Sequence, residues 1–189
     1  MAETDGSLIQ RCREGDLEAF DRLVEKYQGR LYHSLVHWSG SHEDAEDIVQ
    51  DTFVQAYRKL DSFQERSAFF TWLYRIAFNL AVSRSRRKKP EQSLETRVEE
   101  IGEEVAAADE SAERQALRAE QVEQVRRAIA QLHDDHRAVL VLRELEGLCY
   151  ETIAEILDLA PGTVRSRLHR ARMQLRELLK DMLVEPLPD

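Results

Sequence analysis

Along most of the chain apolar residues return every three or four positions, and no segment alternates apolar with polar long enough to make a strand. Leu17, Phe20, Leu23, Val24, Tyr27, Leu31, Leu35 and Trp38 line one face of a long predicted helix. Asp16 stands where its N-cap belongs, and Gly40 stops it. Ser41 caps a second helix, whose stripe is Ala45, Ile48, Val49, Phe53, Ala56, Tyr57 and Leu60. A third begins near Ser67 and is expected to bury Phe69, Trp72, Leu73, Ile76, Ala77 and Leu80. After a polar stretch the pattern resumes with Val122, Val125, Ile129 and Leu132, then Val139, Leu142 and Leu145. Two further helices are predicted near 150–157 and 162–179. The expected fold class is all-α, in two small helical domains.

Charge divides the chain in the same places. Residues 83–89 carry five positive charges and no negative one, and 163–180 carry five Arg and one Lys against Glu177. Between them, 91–123 hold eleven carboxylates and three arginines. The segment 90–114, poor in aromatics and large aliphatics, reads as a self-repelling acidic linker between domains at 8–89 and 115–183. The formal net charge of −9 argues, taken whole, against a nucleic-acid binder. Read locally, two basic footprints flank an acidic tether, which suits two nucleic-acid contacts.

Residues 150–172 carry the most mechanism. A short helix holding Ile153, Ala154 and Leu157 meets a tight turn, Asp158 to Pro161, and a second helix packs Val164, Leu168 and Ala171 inward. Pro161 fits a first helical position, and small Ala154 permits the close crossing of a helix-turn-helix. Arg165, Ser166, Arg167, His169, Arg170 and Arg172 are left for the outward face, where arginine forks reach guanine edges or phosphates.

The first domain offers two other surfaces. Asp44, Asp47, Gln50 and Asp51 make an acidic face suited to a basic partner protein. The helix after Ser67 mixes rings and cations, which is what single-stranded nucleic acid asks for: bases stack while cations hold the backbone. For Phe69 and Trp72 a place in the core is an equal reading.

Among 189 residues there is no apolar run long enough for a membrane span, no apolar leader, and only Cys12 and Cys149 as cysteines. The composition fits a cytoplasmic protein. His33 and His37 lie four apart but have no third metal ligand beside them, so two surface imidazoles are the simpler reading. Asp134 and Asp135 read as a helix cap, and Cys149 as a half-buried, inert thiol. No phosphate loop and no nucleophile-base arrangement is visible. The chain is expected not to be an enzyme and to need no cofactor, metal or small-molecule substrate. A helix-turn-helix repressor or a response-regulator output domain would account for the second domain, but not for the acidic and aromatic helices of the first.

Three stretches together resemble the sigma-70 family of bacterial transcription initiation factors, in its extracytoplasmic-function (ECF) group. They are D-A-E-D-I-V-Q-D-T-F-V-Q-A-Y (44–57), F-F-T-W-L-Y-R-I-A-F-N (69–79) and G-L-C-Y-E-T-I-A-E-I-L…P-G-T-V-R-S-R-L-H-R-A-R (147–172). The resemblance implies that Asp44, Asp47, Gln50, Asp51 and Phe53 bind the clamp helices of the polymerase β′ subunit, and that the second domain meets the β flap. It implies minus-ten recognition and melting by Phe63, Ser67, Trp72, Tyr74, Arg75 and Asn79, with one base flipped near the loop 63–68. Arg84, Arg86, Arg87 and Lys88 would hold phosphates there. Thr163 and the outward residues of the last helix would read the minus-thirty-five element. The partners implied are core RNA polymerase, promoter DNA and an anti-sigma factor. The family's loop usually reads F-R-G-D/E-S; here it reads Phe63-Gln64-Glu65-Arg66-Ser67, without the Gly. Docking on polymerase makes strong positive charge unnecessary, so weak DNA binding by the isolated protein is expected.

Overall fold

The structure is a computed structural model describing residues 3–88 and 112–184. The expected acidic linker at 90–114 falls almost wholly outside the described residues, and so does the side chain of Lys88. All regular structure among the described residues is helical, without strands. The helices are α1 (Asp5–Arg13), α2 (Leu17–Ser39), α3 (His42–Lys59), α4 (Phe69–Lys88), α5 (Ala112–Ala130), α6 (Asp134–Leu140), α7 (Tyr150–Leu157) and α8 (Pro161–Val184). A single 3-10 turn, Leu60–Ser62, follows α3, and a π turn, Val141–Leu145, continues α6.

The local signals act as their chemistry dictates. Asp16 accepts from the Ala19 amide at 3.3 Å and Ser41 from the Asp44 amide at 3.2 Å, each cap contributing about 1 kcal/mol. Gly40 closes α2 at φ 72°, a left-handed position that costs glycine little. Leu23, Leu31 and Leu35 are fully buried along α2, which packs against α1, α3 and α4. Each such side chain contributes roughly 1.5–3 kcal/mol, so this stripe places α2 at the centre of the first domain.

Several expectations require correction. Helix α1 has no counterpart in the sequence reading, yet it buries Leu8 and Ile9. On α4 the buried residues include Tyr74, Phe78 and Ala81, while Trp72, Ile76 and Leu80 are only partly buried. The helix is covered on more than one side, so the expected single stripe is too narrow. Val122, Val125 and Leu145 are exposed, whereas Ile129, Leu132, Val139 and Leu142 form the core as expected. The N-cap of α6 is His133, whose ring accepts from the Asp135 amide. Asp134 is instead buried and accepts from Ser85 at 2.7 Å. Cys149 is exposed rather than half-buried.

The two domains pack on one another, α4 against α7 and α2 against α5 and α6. Arg137, mostly buried, donates to the Trp38 carbonyl at 2.7 Å and the Leu132 carbonyl at 2.9 Å. Burial holds its pKa below the usual arginine value, against the pull of Asp134. Among the described residues no helix is long and apolar enough to cross a membrane.

Candidate nucleic-acid and polymerase interfaces

Helix α8 leaves the helix-turn-helix turn with its basic residues outward. Asp158 adopts the left-handed conformation that ends α7, and its amide and that of Leu159 both return to the Ala154 carbonyl. Ala154 is buried and lines the cleft that α7 shares with Trp72 and Arg75 of α4. Val164, Leu168 and Ala171 are buried. Arg165, Ser166, His169, Arg170 and Arg172 are exposed, with Thr163 and Arg167 half-buried beside them.

Three of these arginines are held by neighbours. Arg167 pairs with Asp135 at 3.0 Å, Arg172 with Glu144, and Arg165 lies 6.0 Å above the Tyr150 ring. The bond to Glu144 raises the Arg172 pKa. Asp135 and Glu144 thus occupy two of these guanidinium forks.

In the first domain Trp72 is half-buried, its ring 5.0 Å from Phe63 and 5.6 Å from Phe69. Arg75 and Asn79 are exposed one and two turns along α4. Ser67, half-buried, and exposed Arg66 complete this surface. Phe63 and Tyr74, expected among the base-contacting rings, are turned inward. Phe63 packs edge-on against Phe69 at 5.8 Å. Tyr74 is fully buried, 4.1 Å from the Phe70 ring, with its hydroxyl 3.1 Å from Ser34 Oγ. Burial pushes that hydroxyl well above its ordinary pKa, so it stays protonated.

The acidic face of α3 is present, with Gln50 and Asp51 exposed and Asp44 and Asp47 half-buried. Phe53 lies mostly beneath the surface, edge-on to Phe20. Beside this face runs an apolar groove of about 890 Å³ between α2 and α3, lined by Val24, Tyr32, Val49, Val54 and Tyr57 among others. Arg84, expected at phosphates, is drawn to these acids: it pairs with Asp47 at 2.6 Å and lies 3.7 Å from Asp51. Arg86 and Arg87 are exposed beyond it.

The second domain lies across the aromatic-basic surface of the first. Glu151, Glu155 and Asp158 of the α7 region line a common cleft with Arg66, Ser67, Trp72 and Arg75, and Asp158 pairs with Arg75 at 3.4 Å. Glu146 reaches Arg30 and Ser34, and no spacing or motif in the sequence marks that contact. Among the described residues no group of three metal-binding side chains gathers.

A model of Sigma-70 region 2 matches residues 23–91, and one of Sigma-70 region 4 matches residues 122–175. The chain is 42% identical to the RNA polymerase sigma-H factor of Pseudomonas aeruginosa over 97% of each chain. It is 40% identical to the ECF RNA polymerase sigma-E factor of Haemophilus influenzae, over 97% of this chain and 100% of that one. In three dimensions it is similar to CnrH, solved in complex with the cytosolic domain of CnrY. That match has a TM-score of 0.67 and 27% identity, and covers 95% of this chain and 99% of the other. The sigma factor RpoE of Bartonella quintana, solved with the anti-sigma factor NepR, matches with a TM-score of 0.67 and 29% identity over 88% of this chain and 98% of that one.

Proposed function

The chain belongs to the sigma-70 family of RNA polymerase sigma factors, in its ECF group, and on that premise we propose that it binds core polymerase and directs promoter-specific initiation. Such factors are not enzymes in themselves. Asp44, Asp47, Gln50 and Asp51 form the surface for the β′ clamp helices, with Phe53 supporting it from below. The second domain meets the β flap. Trp72, Arg75, Asn79 and Ser67 meet the melted minus-ten strand, while Phe63 and Tyr74 set the shape of that surface from beneath. Arg84, Arg86, Arg87 and Lys88 hold its phosphates. Thr163, Arg165, Ser166, Arg167, His169, Arg170 and Arg172 read the minus-thirty-five element. The factor acts in the cytoplasm, restrained by an anti-sigma partner.

The observation that carries this reading is the pairing of two separate basic surfaces, one with the half-buried Trp72 ring beside exposed Arg75 and Asn79 and one on a helix-turn-helix, with an acidic helix face beside the first. Single-strand stacking and major-groove readout call for these two different surfaces. In vitro transcription from randomised promoter DNA, with bacterial core polymerase alone and with this protein added, is the test. Start sites that appear only with the protein support the reading. Failure to bind core polymerase overturns it.

A further inference from the structure

Between the 3-10 turn and α4 the chain passes through a left-handed residue that is not glycine: Glu65, at φ 53°. A side chain in this region crowds its own backbone, and the conformation persists only where its surroundings impose it. A residue of α1 reaches both the turn and the chain just before it. Arg13 donates through Nη2 to the Phe63 carbonyl and, at 3.3 Å, to the Leu60 carbonyl. Its Nη1 lies 3.3 Å from the Glu65 carboxylate. One planar fork therefore grips the chain before the turn and the side chain at it, a geometry that a lysine's single ammonium does not reproduce.

The turn leads straight to Ser67 and then to α4, with Phe63 packed against Trp72. The Sigma-70 region 2 match begins at residue 23, so Arg13 and the whole of α1 lie outside it. We propose that Arg13 is a positioning residue for minus-ten recognition: by bracing the left-handed turn at Glu65 it fixes the loop 63–68 against Trp72. The proposal rests on the reading of that loop as part of the minus-ten surface.

Five chains test it: the wild type, Arg13→Ala, Arg13→Lys, Glu65→Gly and the double variant Arg13→Ala with Glu65→Gly, each assembled with bacterial core polymerase. Each holoenzyme is presented with single-stranded minus-ten oligonucleotides carrying each of the four bases in turn at every position, taken from a promoter the wild type selects. Arg13→Ala is expected to lose about tenfold in preference for the favoured base, the equilibrium cost of one unsupported left-handed side chain. Core binding is expected to be unchanged. Glu65→Gly keeps the preference, because glycine takes the turn without a brace. The double variant recovers most of what Arg13→Ala loses, whereas Arg13→Lys behaves like Arg13→Ala. Hydrogen exchange at the amides of 63–67 follows the same order, faster in Arg13→Ala and near wild type in the double variant.

A merely structural role for Arg13 would lower the melting temperature, leave base preference alone and show no rescue by glycine. An unchanged base preference in folded Arg13→Ala, or a double variant no better than the single, overturns the proposal. Absence of any base preference in the wild-type holoenzyme overturns the reading of the loop and the proposal with it. In that case the exchange rates still report whether Arg13 braces the turn.

Discussion

Glu146, in the stretch ahead of α7, places its carboxylate 2.6 Å from Arg30 Nε on α2 and accepts from the Ser34 hydroxyl, although 116 residues separate it from Arg30. Ser34 in turn meets the buried Tyr74 hydroxyl, so the chain of polar groups runs from the second domain into the core of the first. Glu146 is 8% exposed and Arg30 51% exposed. A carboxylate this enclosed depends on its cation, since without Arg30 only the neutral Ser34 hydroxyl is left to answer its charge.

Arg30→Glu is therefore expected to separate the two domains, because it sets two carboxylates against one another. The cost is at the low end for breaking a buried pair, about 3 kcal/mol, because Arg30 keeps part of its hydration. Small-angle scattering should show a larger radius of gyration for this variant, and the swap Arg30→Glu with Glu146→Arg should restore the smaller one. A scattering profile identical to wild type in Arg30→Glu would mean that other contacts, such as Arg137 on the Trp38 carbonyl, hold the domains together.

Closure of the domains bears directly on DNA. With Glu151, Glu155 and Asp158 across the cleft from Trp72 and Arg75, the surface proposed for the minus-ten strand faces carboxylates. The isolated wild-type protein should give no tight gel shift with promoter DNA at physiological salt. Arg30→Glu should bind single-stranded minus-ten oligonucleotide more tightly than wild type does. A tight shift by the wild type would show that the acids do not compete.

What the sequence made legible was local. Asp16, Gly40, Ser41 and Pro161 act within a few residues of where they stand, and a cap, a left-handed stop or a helix start is written in residue type and spacing. The outward basic face of α8 was legible for the same reason, since a helix with Val164, Leu168 and Ala171 inward has only one way to turn its arginines. Tyr74 and Phe63 were not. A ring near polar or basic neighbours satisfies both a core and a stacking platform, and only packing against Ser34, Phe69 and Phe70 decides between them. The pairings of Arg84 with Asp47, Arg167 with Asp135 and Arg30 with Glu146 link segments distant in sequence, and one-dimensional periodicity carries no record of them.

On α3, Asp51→Arg is expected to abolish core polymerase binding while leaving the helical circular dichroism unchanged. Asp51 is exposed and makes only a distant pair with Arg84, so its replacement removes little from the fold. A pulldown with core polymerase measures the effect directly. Wild-type retention by the variant would remove Asp51 from the clamp-helix surface.

The acid limb of stability should report Asp16. The hydrogen bond from Arg11, helped by the Ala19 amide, holds its carboxyl below the usual aspartate value. A depressed folded pKa means stability that is fully present above about pH 4 and lost as pH falls through the lower, folded value. Asp16→Asn keeps a capping oxygen but gives up the charge. Its deficit relative to wild type, measured by urea titration, should therefore be largest near neutrality and shrink below pH 4. A deficit that stays constant with pH would place the loss in cap geometry rather than in the pairing with Arg11.

Arg167 offers the sharpest separation of base reading from backbone holding. Its guanidinium, 3.0 Å from Asp135 and half-buried, is already oriented before DNA arrives, unlike an arginine free to rotate in solvent. An oriented fork suits two parallel bonds to a guanine edge, and losing them should weaken the preferred minus-thirty-five sequence by about 1–3 kcal/mol with little effect on a mismatched one. Arg167→Ala assayed in holoenzyme against promoters varied base by base gives this difference. A uniform loss across all sequences, with the salt dependence reduced by about one unit of slope, would instead assign Arg167 to a phosphate. Asp135→Ala separates the two further. If orientation matters, it relaxes sequence preference in the same direction as Arg167→Ala; if Arg167 only supplies charge, removing a competing carboxylate strengthens binding to every sequence alike.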